Sequence, residues 1–290
     1  MSIEDGALVI RADAVRVHGQ NSTAFANVTT GGVTSKRSWG GSGQGGPTRI
    51  CLNAMLPGGG GGGGDGTSQG FWPALWMMPD DSSCWACHGE IDLVEMINGE
   101  GYVQSHYHYT TNTTWCAADE KLGCTTEVAQ NCTGHGGPCT TGGAAGFGSR
   151  GAGMRVPSFG SAYHEYVVEF DGASHVAFAY DGKVIANMTR NSRGGGPKPM
   201  FSDVPFYLIL DFMIGEAVSW AGAPNAKTVF PAYLRLDSVR VAQPGARGDQ
   251  HQRSRLPSSE PKESTHTPER RPNSPRDWPL TTGSGSSVAC

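Results

Sequence analysis

The sequence predicts an all-β protein, a sandwich of short strands, on three observations. Apolar side chains alternate with polar ones in segment after segment, the period of a half-buried strand. Glycine and proline, 43 and 18 of the 290 residues, punctuate the chain between those segments. No stretch carries apolar residues at helical spacing.

The elements follow in order. Residues 1–57 alternate short apolar segments with turns, and Ala7–Ala12 and Arg49–Leu56 read as strands. Gly58 to Gly64 is a run of seven glycines. No Gly-Lys-Ser/Thr follows it, so it is a flexible connection and not a phosphate loop. Phe71–Met78, Gly89–Ile97 and Tyr102–Tyr109 are strand-like. Residues 110–160, rich in Cys, Gly and Thr, read as loops. Strands resume at Glu165–Phe170 and Val176–Tyr180; Asp181-Gly182 then makes a hairpin turn into Lys183–Ala186. Pro205–Ile214 is a buried strand, and Tyr233–Ala242 alternates cleanly and closes the domain at about residue 243. Residues 244–290 hold seven of the 18 prolines, with seven basic against five acidic side chains. They are expected to be a disordered Pro/Ser/charged tail.

Composition excludes several classes. Basic residues number 22 and acidic 26, a net charge of −4, which argues against a nucleic-acid binder. Hydrophobic residues are 37% of the chain, too many for full-length disorder. No run approaches 18 consecutive apolar residues, so no membrane-spanning helix is expected.

Six of the eight cysteines fall between 84 and 139, which reads as a loop region stapled by disulfides in an exported protein. Zinc is the rival reading, since Cys84-Trp-Ala-Cys87 has ligand spacing, but Cys116/Cys124 and Cys132/Cys139 are too widely spaced for a second pair. Sequons at Asn21, Asn27, Asn112, Asn131 and Asn187 point the same way as the cysteines. Residues 1–20 lack a hydrophobic signal core.

The chemistry concentrates in His88-Gly-Glu90-Ile-Asp92-Leu-Val-Glu95, three carboxylates in six residues. On a regular strand Glu90 and Asp92 share a face and Glu95 points to the other. One extra residue between Asp92 and Glu95, a β-bulge, returns Glu95 to the same side. Three carboxylates on one face repel unless they share a proton. That splits their pKa values and supplies an acid and a base near neutrality. Two carboxyl groups about 5–5.5 Å apart suit a retaining glycosidase.

Glu90-Ile-Asp-Leu-Val-Glu95 resembles the Glu-x-Asp-x-x-Glu signature of glycoside hydrolase family 16, in its bulged, laminarinase-like (endo-β-1,3-glucanase) branch. Phe71-Trp-Pro-Ala-Leu-Trp76 resembles that family's Trp-Pro-Ala-x-Trp strand, and Ser105-His-Tyr-His108 its Gly-Thr-x-His segment. The stretches from Pro205 to Asp211, from Gly215 to Trp220, Phe230-Pro-Ala and Leu236–Val241 resemble its closing strands in order. The resemblance covers about residues 4–243. It implies a concanavalin A-like β-jelly-roll sandwich with a concave substrate cleft.

It also implies roles. Glu90 would be the nucleophile, Glu95 the acid and then the base, and Asp92 the group between them that holds a proton and tunes Glu90. Trp72, Trp76 and Trp220 would be platforms for sugar rings, with His106 and His108 beside them. The partner would be β-glucan polysaccharide, with no nucleic acid and no membrane span; a monomer in the extracellular space or cell wall is expected. No cofactor is required. Asp237 fits the position of an Asp that in some members holds a structural calcium.

Two departures stand out. Ile3-Glu-Asp-Gly-Ala-Leu8 resembles a Val-x-Asp-Gly-x-Leu segment that usually follows several tens of residues, so the first strand and leader are expected to be missing. The usual Arg-x-Glu-x-Arg strand reads Arg49-Ile-Cys51-Leu-Asn53, which would remove a Glu and an Arg beside the cleft. Three functions remain open on the sequence: retaining endo-β-glucan hydrolysis on β-1,3- or mixed β-1,3-1,4-linkages, cell-wall glucan transglycosylation through the same residues, and non-catalytic β-glucan binding.

Overall fold

The computed structural model describes residues 1–16, 25–41, 47–58, 65–81, 88–110, 147–172, 174–189, 201 and 203–243. The tail, the cysteines of 84–139, Trp85, Trp115 and three of the five sequon asparagines (Asn21, Asn112 and Asn131) lie outside the described residues.

The strands are β1 (Ser2–Glu4), β2 (Ala7–Arg16), β3 (Phe25–Thr29), β4 (Gly31–Trp39), β5 (Thr48–Met55), β6 (Phe71–Pro79) and β7 (Glu90–Met96). They continue as β8 (Tyr102–Thr110), β9 (Phe147–Arg155), β10 (His164–Phe170), β11 (His175–Tyr180), β12 (Lys183–Thr189), β13 (Phe206–Ile214) and β14 (Ala232–Ala242). No helix occurs among the described residues.

Two antiparallel sheets pack face to face. One has eight strands in the order β1-β2-β14-β5-β10-β11-β12, with β3 also on β2; the other has six in the order β4-β13-β6-β7-β8-β9. Consecutive side chains on a strand point to opposite faces, so each strand gives half its residues to the space between the sheets. Phe206, Leu208, Leu210 and Phe212 of β13 point inward, as do Phe71, Leu75 and Met77 of β6 and Val103, Tyr107 and Tyr109 of β8. From the eight-stranded sheet Ile50, Leu52, Tyr166, Val168, Phe178 and Tyr180 meet them. Edge-to-face ring pairs, such as Phe71 on Phe212 at 5.2 Å and Phe170 on Phe206 at 5.7 Å, knit the interior.

The Asp181-Gly182 hairpin forms as expected, both residues at positive φ (46° and 76°). Two expectations are corrected. Residues 147–155 were expected to be loop but form β9, the edge of the six-stranded sheet. Its sequence, Phe-Gly-Ser-Arg-Gly-Ala-Gly-Met-Arg, has no alternation; pairing with β8 along its whole length makes it a strand. Cys51 and Asn53 were expected beside the cleft, but they lie on β5 in the eight-stranded sheet. Cys51 faces away from the core, against Val167 and Ala179. Arg49 on the same face forms a buried ion pair with Glu169, Nη2 to Oε2 at 2.8 Å.

Candidate active site

The site lies on β7, in the middle of the six-stranded sheet. Asp92 pairs with His106 of β8, but Glu95 pairs with Gln104: three steps on β7 against two on β8. The partner on the other side shows the same slip, with Trp76 opposite Asp92 and Leu75 opposite Val94. The expected bulge is therefore present, and Leu93 and Val94, though consecutive, both belong to the core. Its effect is to bring Glu90, Asp92 and Glu95 to one face.

A bulge frees a carbonyl from the ladder. Here the buried Leu93 carbonyl has Ser105 Oγ at 2.7 Å and Tyr180 OH at 3.2 Å, while the two hydroxyls lie 2.6 Å apart. Each hydroxyl has one proton, so two of these three contacts are hydrogen bonds at a time, and at least one of them serves the carbonyl.

The carboxylates and histidines interlock. One side-chain nitrogen or oxygen each of Glu90, Asp92 and His108 lie within 4.8 Å of one another, and so do those of Asp92, Glu95 and His106. Glu95 is held at both oxygens: Trp72 Nε1–H donates to Oε1 at 3.1 Å, and His106 Nδ1 is 2.9 Å from Oε2. His108 Nε2 approaches Asp92 Oδ2 at 2.9 Å, off the line of a hydrogen bond.

Burial separates the acidities. It pushes Asp92 well above the usual carboxylate range; the Glu95 charge adds to this, and His106 and a hydrogen bond with Glu90 oppose it only in part. One proton is thereby kept at the centre of the carboxylate row. Burial also pushes Glu95 upward, but the hydrogen bond and charge of His106, the charge of His108 and the Trp72 N–H outweigh it, so Glu95 ends below its ordinary value. Burial lowers His108, against the pull of Glu90 and Glu95.

The predicted tryptophans flank this row. Trp72 is half-buried, and its ring meets Trp220 edge-on at 5.6 Å. Trp220 stands 40% exposed, in a turn, 6.3 Å from the His106 ring. Trp76 is half-buried on the same face, and its Nε1–H reaches Asp211 Oδ2 at 3.3 Å. Asp237 is remote from this face. It is exposed and accepts a hydrogen bond from Asn53 at 3.1 Å, and it belongs to no cluster of three metal-ligating side chains among the described residues.

One member of the site was missed by sequence reasoning. Asp211 of β13 lies on the site face, and Gly32 opposite it has no room for a side chain: a Cβ there would stand 2.7 Å from Asp211 Cβ. Asp211 Oδ1 is buried without a hydrogen-bond partner. Burial pushes the carboxyl up to about 6; the Trp76 N–H opposes this and the Glu95 charge adds to it. The signal was available: a lone carboxylate in an apolar strand, in phase with the outward Tyr207 and Ile209.

Residues 66–167 match the model of the XgeA-like catalytic domain of glycoside hydrolase family 16. The chain is 28% identical over 245 residues to a beta-glucanase of Rhodothermus marinus, covering 81% of this chain and 68% of that protein. It is 28% identical over 255 residues to glucan endo-1,3-beta-glucosidase A1 of Niallia circulans, covering 82% of this chain but 30% of that longer protein. The laminarinase catalytic domain of Thermotoga maritima superposes with a TM-score of 0.55 at 25% identity, covering 82% of this chain and 78% of that one.

Proposed function

We propose that the chain is a member of glycoside hydrolase family 16 and a retaining endo-acting β-glucan hydrolase cutting β-1,3- or mixed β-1,3-1,4-linkages. The observation that carries the mechanism is the bulge, which brings Glu90, Asp92 and Glu95 to one face of β7. The jelly-roll fold it shares with laminarinases supports the same substrate class.

In this reading Glu90 is the nucleophile. A sugar ring rests on Trp72 and Trp220, whose faces suit the apolar faces of pyranoses. The Glu90 carboxylate attacks the anomeric carbon, the glycosidic bond breaks, and Glu95 protonates the departing oxygen. Water then gives Glu95 a proton and attacks the same carbon, and the ester to Glu90 breaks. Asp92, kept protonated by burial, hydrogen-bonds Glu90 and lets a third carboxyl sit in the row without a third charge. The extracellular space or cell wall is the place where such a substrate is met, and the cysteines and sequons suit export.

Reducing-sugar release from laminarin and from mixed-linkage glucan tests the reading. Release by the wild type that is lost in Glu90→Gln supports it, and the preferred polymer gives the linkage. Lengthened products in place of net release would assign transglycosylation. A folded wild type that binds glucan and changes neither polymer would make it a binding protein.

A further inference from the structure

We propose that His106 and Glu95 form one two-residue acid/base, in which His106 is the positioning residue that holds Glu95 and carries the proton that Glu95 delivers. The inference rests on the glycosidase reading above.

Glu95 is gripped by nitrogens at both oxygens, Trp72 Nε1 at 3.1 Å and His106 Nδ1 at 2.9 Å. Two nitrogen donors suit a carboxylate, yet the first chemical step needs an acid. An indole N–H is not an acid near neutral pH, whereas an imidazolium is. Of these two partners His106 alone can therefore supply the proton. Its ring is 4% exposed, and the Trp220 ring lies 6.3 Å from it. The geometry is set by backbone pairing: His106 lies opposite Asp92 on β8, and the bulge swings Glu95 onto its face.

Several titratable groups face that imidazole. Asp92 and Glu90 lie beside the pair on β7, His108 two residues along β8, and Asp211 comes from β13; Tyr180 faces it from the other sheet. The Glu95 carboxylate against Nδ1 favours the imidazolium, while burial and His108 oppose it; Asp92, kept protonated, adds no charge.

The step balances. As Glu90 bonds to the anomeric carbon and the glycosidic C–O bond breaks, the leaving oxygen takes a proton from Glu95, which takes one from His106 Nδ1. The pair is then one proton short, with His106 neutral and Glu95 anionic. In the second half the attacking water returns one proton through Glu95 to His106, its oxygen bonds to the anomeric carbon, and the ester bond to Glu90 breaks.

The test compares wild type with His106→Asn, whose amide keeps an N–H toward Oε2 and cannot carry a proton. Two substrates are used: laminarin, and a 2,4-dinitrophenyl β-glucan oligoside whose leaving group needs no acid. We expect kcat/KM on laminarin to fall about 10²-fold while the aryl substrate changes little. The alkaline limb of the laminarin profile should move down by about one pH unit or more, because a lone carboxyl replaces an imidazolium. Equal losses on both substrates with an unmoved limb would make His106 a structural residue and overturn the proposal. If the wild type turns over neither substrate, it is the glycosidase reading that fails. Should His106→Asn not fold, nitrogen-15 spectra of the wild type and Glu95→Gln decide: the His106 titration should drop by about one unit when the carboxylate is removed, and an unchanged titration overturns the pairing.

Discussion

The hydroxyl of Tyr180, on the eight-stranded sheet, lies 3.2 Å from the carbonyl of Leu93, the extra residue of the bulge on the six-stranded sheet. The acidic row thus depends on a hydrogen bond that crosses the sandwich. Ser105 backs it at 2.7 Å. Tyr180→Phe leaves Ser105 in place and should cost about 1 kcal/mol in chemical denaturation. Ser105→Ala with Tyr180→Phe leaves the carbonyl buried and unpaired. It should cost about 1–3 kcal/mol more and lower kcat more than it raises KM, because Glu95 is the residue displaced. Unchanged stability in the double variant would show that the bulge holds itself.

Nucleophile and acid/base are told apart by rescue. Glu95→Ala should lose about 10²–10⁴-fold on laminarin and regain turnover of an activated aryl substrate with azide, giving a product azide of retained configuration. Glu90→Ala with azide should give the inverted azide. Exchange of these two outcomes would exchange the two roles.

Trp220 is 40% exposed and meets the Trp72 ring edge-on. Trp220→Ala should therefore raise KM for glucan about 10-fold, the loss of one stacking surface at 1–2 kcal/mol, with little change in melting temperature. A large loss of stability with KM unchanged would make it a packing residue.

Asp211 ties acidity to stability. Its folded pKa, raised by burial to about 6, lies above its ordinary 3.8. The folded state therefore binds the proton more tightly, and stability falls as pH rises from about 4 to 6. Asp211→Asn removes that penalty. It should stabilise the protein by about 1 kcal/mol or more at pH 7.5 and scarcely at all at pH 4, as read by denaturation at both pH values. Equal effects at both would place the carboxyl in contact with solvent.

His175 has the opposite sign. Burial lowers it, but hydrogen bonds and charge from Asp171 and Glu169 outweigh burial and raise it to about 9. Its contribution is complete below about 6.5 and lost as pH rises through 9. His175→Gln should lower the melting temperature clearly at pH 6 and little at pH 10. The same loss at both would show that shape, not charge, holds Glu169 there.

The sequence by itself determined the all-β class, ten of the fourteen strands among the described residues and the three acidic residues on β7, because these are local. Alternation of period two declares a strand wherever one face is buried, as in Phe206–Ile214. The bulge, too, was legible, since Glu90, Asp92 and Glu95 cannot otherwise share a face. Strands β1, β3, β4 and β9 carry short, polar or glycine-rich sequences, and only their neighbours' hydrogen bonds make them strands. Tertiary structure alone decided what surrounds the acids. Asp211 and Tyr180 reach Glu95 and Leu93 from 116 and 87 positions away along the chain, and Cys51, expected beside the cleft, belongs to the opposite sheet. Periodicity tells a residue which face it takes, but not which strand will be its neighbour. The proton that burial raises on Asp92 and His106 draws down on Glu95 is set by those neighbours.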